Sequence, residues 1–114
     1  MTGSTSFTCC ECADRIELYT QLGRDAFLAD PKTQDAVIRN FEIIGEAAKR
    51  VSAATQILEP GIPWERIAGF RDVLIHRYKD VDLELVWRRV EEDLPHLQEN
   101  LKRLLHVLER ELAD

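Results

Sequence analysis

The sequence predicts an all-α fold: an up-and-down bundle of four to five helices, with a long C-terminal helix kinked at Pro95. Three observations lead there. Apolar residues recur at steps of three and four from Cys9 to Leu112, the spacing that gathers them on one face of a helix. No segment sustains the period-two alternation of a half-buried strand. Helix breakers cluster at only a few points, Gly23, Asp30-Pro31, Pro60-Gly61-Ile62-Pro63 and Asp80-Val81-Asp82, and these cut the chain into helical lengths.

A chain of 114 residues suits one domain. With 45% apolar and 32% charged residues, it is neither disordered nor fibrous in class. No apolar run reaches the roughly 18 residues of a membrane span. Residues 1–8 lack the basic-then-apolar pattern of a secretory signal, so a cytoplasmic protein without membrane contact is expected. The net charge of −6 argues against a general nucleic-acid coat. It hides a local inversion, because residues 66–81 carry Arg66, Arg71, Arg77 and Lys79 against Asp72 and Asp80, while the stretches on either side are each −4.

The elements follow in order. A first helix runs from about Thr8 to Leu22 and stops at Gly23, with residues 1–7 expected as a flexible segment before it. Cys9, Cys12, Ile16 and Tyr19 step by three and four, which makes Cys9 and Cys12 small core residues and leaves Cys10 exposed and oxidisable. A lone Cys-x-x-Cys with histidines at 76, 96 and 106 offers no four-ligand zinc spacing, so no metal or other cofactor is expected. After a short turn at Asp25 to Leu28, Asp30 caps a second helix with Pro31 at its first position, running to about Ser52. Val37, Phe41, Ile44, Ala48 and Val51 form its stripe, and Ile38, Gly45 and Ala47 widen it. So wide a stripe predicts burial on two sides, with Gly45 permitting a close backbone approach.

A third helix runs from Pro63-Trp64 to His76. Asp82 caps the last helix, with Val81 and Val86 as a hydrophobic staple. Its leucine stripe extends for about 31 residues, or about 46 Å, and Pro95 should bend it near Glu91 by removing one amide donor. An apolar stripe of that length predicts a homodimer, although a kink that wraps the helix round the bundle would also cover it.

Arg71 and His76 are the candidate chemistry. Arginine grips a phosphate with two hydrogen bonds, and histidine exchanges protons near neutral pH. Together they could break an RNA phosphodiester without metal: the imidazole activates a 2′-hydroxyl and the guanidinium stabilises the phosphorane. Spacing alone is weak, since eleven arginines and three histidines yield close to one such pair by chance, and Arg89 with His96 is a second example. Five steps along a helix leave Arg71 and His76 about 140° apart. They can share a phosphate only if the helix end unwinds or two copies of the segment face each other across a dimer.

The block from Gln34 to Arg50 (QDAVIRNFEIIGEAAKR) resembles the second helix of HepT-like proteins of the HEPN superfamily. So do Ile62 to His76 (IPWERIAGFRDVLIH), the following Tyr78, and Val81 to Trp87 (VDLELVW). The likeness covers about residues 13 to 108 and makes residues 8–114 a single HEPN-like domain. It implies a helical dimer in which the Arg-x4-6-His motifs of both protomers line a shared cleft. It also implies a metal-independent endoribonuclease toxin of a type VII-like toxin–antitoxin pair, acting on RNA. By position Arg71 would stabilise the phosphate, His76 would be the general acid/base and Asp72 would order the site. Arg89 and His96 match nothing in the family and are expected to be ordinary surface.

His76-Arg77-Tyr78 also matches the family's His-x-Tyr extension. The resemblance implies that Tyr78 accepts AMP from an MntA-like minimal nucleotidyltransferase antitoxin, which would silence the nuclease. The chain departs from the family at its start, where Met1 to Thr8 and the cysteines replace a charged, leucine-rich first turn, so a shortened first helix is expected. Two other readings remain open on the residues. One is a non-catalytic helical nucleotide-binding subunit of a nucleotidyltransferase complex, a role the −6 charge suits. The other is a helical interaction module in which Arg71 and His76 merely pair with Asp72, Asp80 or a dimer mate.

Overall fold

The computed structural model describes residues 2–76 and 80–113, with side chains from Thr8 onward to Arg110. Its elements are α1 (Thr2–Tyr19), α2 (Arg24–Ala29), α3 (Pro31–Lys49), α4 (Ala53–Leu58), α5 (Trp64–His76), α6 (Leu83–Arg88) and α7 (Leu94–Ala113), with a π-turn over Arg89–Asp93 joining the last two. Among the described residues there is no strand. The fold is the all-α bundle that the sequence predicts. No described helix is long and apolar enough to cross a membrane.

Several boundaries follow from identifiable caps. The Asp30 carboxylate accepts from the Lys32 amide at 3.1 Å and the Thr33 hydroxyl at 2.7 Å, and Pro31 opens α3, as expected. The Asp82 carboxylate accepts from the amides of Glu84 and Leu85 and starts α6. Two boundaries differ from expectation. The first helix begins at Thr2 rather than Thr8, so residues 2–7 are continuous with it and α1 is not shortened. The second long helix ends at Lys49, because Ser52 caps a new short helix by accepting from the Thr55 amide at 3.2 Å.

The final 31-residue run is continuous, but its hydrogen-bond register widens where the sequence placed a bend. The Leu94 amide donates to the Arg89 carbonyl, five residues back. Pro95 has no amide to return to Glu91, and its ring would crowd that carbonyl. The wider turn just ahead of Pro95 absorbs the conflict. The run spans about 46 Å at 1.5 Å per residue, close to the 49 Å long axis of the molecule.

Helix α3 is the centre of the bundle, packed against α1 on one side and α5 on the other, while α1 also rests on α7. The largest wholly buried side chains, among them Ile16, Phe27, Ile44, Leu74, Leu101 and Leu104, come from every long helix. Because α1 is covered by both α3 and α7, all three cysteines are buried and free. This corrects the expectation that Cys10 is exposed. Burial pushes the Cys9 thiol up to about 12, and its Sγ lies 3.9 Å from the Ile44 carbonyl as a weak donor.

Candidate functional site

Gly45 sets the site's geometry. A Cβ there would collide with Arg71 Cβ and lie 2.9 Å from Arg71 Cγ and 3.1 Å from the Ile67 carbonyl. Only a glycine lets α5 cross α3 this closely, and the crossing lays the Arg71 side chain along α3. Its guanidinium pairs with Glu46 Oε2 at 3.1 Å and with Asp72 Oδ1 at 3.1 Å. Lys49 Nζ reaches the same Asp72 oxygen at 2.7 Å. The side chain of Arg71 is three-quarters covered, at 26% exposure, and its Nε is buried with no hydrogen-bond partner among the described residues. Hydrogen bonds from Lys49 and then Arg71 hold the Asp72 carboxyl below the usual carboxylate range. The guanidinium is therefore pre-positioned by two carboxylates on two helices, and a phosphate would exchange with them for its outer nitrogens.

His76 is the last residue of α5 and is exposed. Its Nδ1 lies 2.8 Å from the Asp72 carbonyl oxygen. A carbonyl only accepts, so the neutral ring carries its proton on Nδ1 and keeps a lone pair on Nε2. That tautomer leaves Nε2 open to take a proton.

Asp72 thus contacts both candidates, its carboxylate on Arg71 and its carbonyl on His76. The structure does not bring Arg71 and His76 to each other. Helix α5 stays regular to its end, which leaves the two about 140° apart and about 7.5 Å along the axis. No hydrogen bond joins them among the described residues. Arg77, Tyr78 and Lys79 lie outside the described residues.

The structure adds cations that counting charge along the chain misses. Arg39, Glu42, Ile43 and Glu46 of α3 and Arg50 at its C-cap line a depression of about 330 Å³ together with Arg71 and Ile75 of α5. The signal was present, since Arg39, Ile43, Glu46 and Arg50 step by four, three and four on one helical face, but that face belongs to a segment of net negative charge.

His96 is exposed, as expected, but Arg89 is mostly covered, which corrects the expectation that it is ordinary surface. Both line a groove of about 470 Å³ between α5 and the α6–α7 run. Its floor includes Phe41 and Phe70, whose rings meet edge-on at 5.3 Å. Arg89 is only 20% exposed and is bound by Asp93 at 2.7 Å and Glu92 at 3.3 Å, both from its own helical run.

Comparison with known proteins adds a separate line. The profile described as "Ribonuclease HepT-like" matches residues 9–104. The "Probable ribonuclease HepT" of Thermococcus cleftensis is 45% identical over 96 residues, covering 81% of this chain and 87% of that protein. A protein of Methanocaldococcus jannaschii named "Gamma-glutamylcyclotransferase and putative RNase MJ0434" is 40% identical over 101 residues. That match covers 88% of this chain but 46% of the longer relative, so the chain spans about half its length. The "Putative RNase TTE0752" of Caldanaerobacter subterraneus is 35% identical over 95 residues, covering 83% and 85% of the two chains. No solved structure matches the chain.

Proposed function

The chain belongs to the ribonuclease HepT-like family, and from that premise we propose that it is a metal-independent endoribonuclease whose catalytic residues are Arg71 and His76. The observation that carries this reading is the His76 ring, exposed and fixed by the Asp72 carbonyl so that Nε2 is free, on the same helix as a pre-positioned guanidinium. In the proposed reaction Nε2 takes the proton of an RNA 2′-hydroxyl and the 2′-oxygen attacks the adjacent phosphorus. Arg71 stabilises the charge on the phosphorane. The 5′-oxygen then leaves with a proton from a protonated imidazole, giving a 2′,3′-cyclic phosphate and a 5′-hydroxyl.

The active unit in this reading is a homodimer. One regular helix points Arg71 and His76 apart, and the same stretch of α5 exposes Val73 and Ile75, at 44% and 37%, apolar surface that a second copy would cover. Arg71 of one protomer and the histidine of the other would then flank one phosphate. The test is to mix inactive Arg71→Ala and His76→Ala proteins. Recovery of up to about a quarter of the wild-type cleavage supports a composite site, since random exchange makes half of the dimers mixed and one of the two sites in each mixed dimer is intact. No recovery from well-folded, exchanging dimers contradicts it.

We place the protein in the cytoplasm as the toxin of a type VII-like pair, silenced when an MntA-like minimal nucleotidyltransferase adds AMP to Tyr78. Phosphate added two residues beyond His76 would occupy the anion site and repel RNA. AMP mass increments after co-expression, lost in Tyr78→Phe, are the expected result. The second reading, a non-catalytic nucleotide-binding subunit, is favoured by one observation: the net charge of −6 opposes a long polyanion more than a single nucleotide. It predicts a stable complex with no RNA cleavage and a nucleotide affinity that falls on Arg71→Ala.

A further inference from the structure

We propose that the exposed face of α3 is the track for the RNA strand, with Arg39 and Arg50 binding phosphates on either side of the one held by Arg71; the proposal rests on the ribonuclease reading above. Along α3 the order is Arg39, then the Gly45–Glu46 crossing where Arg71 lies, then Arg50. The eleven steps from Arg39 to Arg50 span about 16 Å, room for a few nucleotides of extended backbone.

The three guanidiniums line one depression yet differ in how far they are committed. Arg71 is mostly covered and paired with two carboxylates. Arg50 is 73% exposed, and its one ion pair among the described residues is with Glu46 at 3.4 Å, a pair of little net value in water. Arg39 is exposed and has no hydrogen bond or ion pair among the described residues. Two loosely held arginines flanking one fixed arginine suit a ligand with regularly spaced negative charges. The same depression contains Glu42 and Glu46. Glu46 bridges Arg71 and Arg50 and keeps both over the track, and both carboxylates temper the affinity. Such a strip grips the backbone without reading bases, and its binding weakens with salt.

The test measures anisotropy of a fluorescein-labelled 12-nucleotide single-stranded RNA with the full chain carrying His76→Ala, which prevents cleavage, across a salt series. Adding Arg39→Ala or Arg50→Ala should weaken binding about tenfold each, as expected for a lost charge-assisted contact. Each should also flatten the slope of log affinity against log salt by about 0.7. Arg39→Lys should restore most of that slope, and Arg103→Ala, beside Glu59 and Glu99 on α7, should leave affinity and slope unchanged. If Arg39→Ala and Arg50→Ala bind like their parent while the wild type cleaves RNA, the track is overturned and the ribonuclease reading stands. If the unmodified wild type neither binds nor cleaves RNA, both are overturned.

Discussion

Two Arg-to-His spacings lie in one small chain, and the fold treats them in opposite ways. Arg89 and His96 sit on the last helical run, where Asp93 and Glu92, four and three residues away, absorb the guanidinium within its own helix. Arg71 is held instead across a helix crossing, by Glu46 of α3 as well as by its neighbour Asp72. His76 has its tautomer set by a backbone carbonyl at a helix end. What separates the pairs is tertiary support and a fixed ring: a glycine that permits the crossing, a carboxylate on another helix, and an imidazole whose tautomer a backbone carbonyl sets. A motif of two residues carries no such information by itself.

Substitutions should break this contrast in a definite order. The largest effect is expected at His76→Ala, which lowers RNA cleavage by at least about 100-fold, while His96→Ala stays within about twofold; initial rates on one RNA compare them directly. Next come the arginines. Arg71→Ala should lower cleavage about 100-fold by removing charge stabilisation of the phosphorane. Arg89→Ala should instead cost up to about 1 kcal/mol of stability, because the two carboxylates it leaves behind are half exposed and are re-solvated by water, with activity per folded molecule retained. Urea denaturation alongside the cleavage assay separates the two outcomes.

Gly45→Ala tests the crossing itself. Overpacking against Arg71 should cost about 1–3 kcal/mol and displace the guanidinium, lowering both the melting temperature and the cleavage rate. Gly69→Ala on the same α5, where a Cβ meets nothing within 4 Å, should raise stability by up to about 1 kcal/mol. The smallest effect is expected at Asp72. Its folded carboxyl is depressed below the ordinary 3.8 by Lys49 and Arg71, so it stabilises the fold above 3.8, and that contribution is lost as pH falls through the lower folded value. Asp72→Asn should therefore flatten the acid limb of stability slightly, read as the difference in urea midpoint between neutral pH and pH 3.

Much of this architecture is legible in the sequence. Asp30-Pro31 and Asp82 announce their helices because capping is local chemistry, and the apolar spacing of α3 forecasts burial on two sides. Pro95 announces a disturbance, but whether a helix kinks or widens into a π-turn depends on packing that no single residue encodes. Cys10 reads as exposed from the α1 stripe alone, whereas burial comes from α7, a partner distant in sequence. The site was half legible. Arg71, Asp72 and His76 are contiguous enough to notice, but the α3 cations become part of it only through the Gly45 crossing. Arg89 reads as surface because its burial depends on the turn ahead of Pro95.

Arg71 and His76 are proposed as the catalytic site of a ribonuclease that needs no metal. The most direct measurement is cleavage of a single-stranded RNA by purified, unmodified protein in excess EDTA, comparing wild type with His76→Ala and His96→Ala. The account predicts cleavage by the wild type and by His96→Ala, with 2′,3′-cyclic phosphate ends, and loss of at least about 100-fold in His76→Ala. Cleavage that survives in His76→Ala, or is abolished by His96→Ala instead, would contradict it.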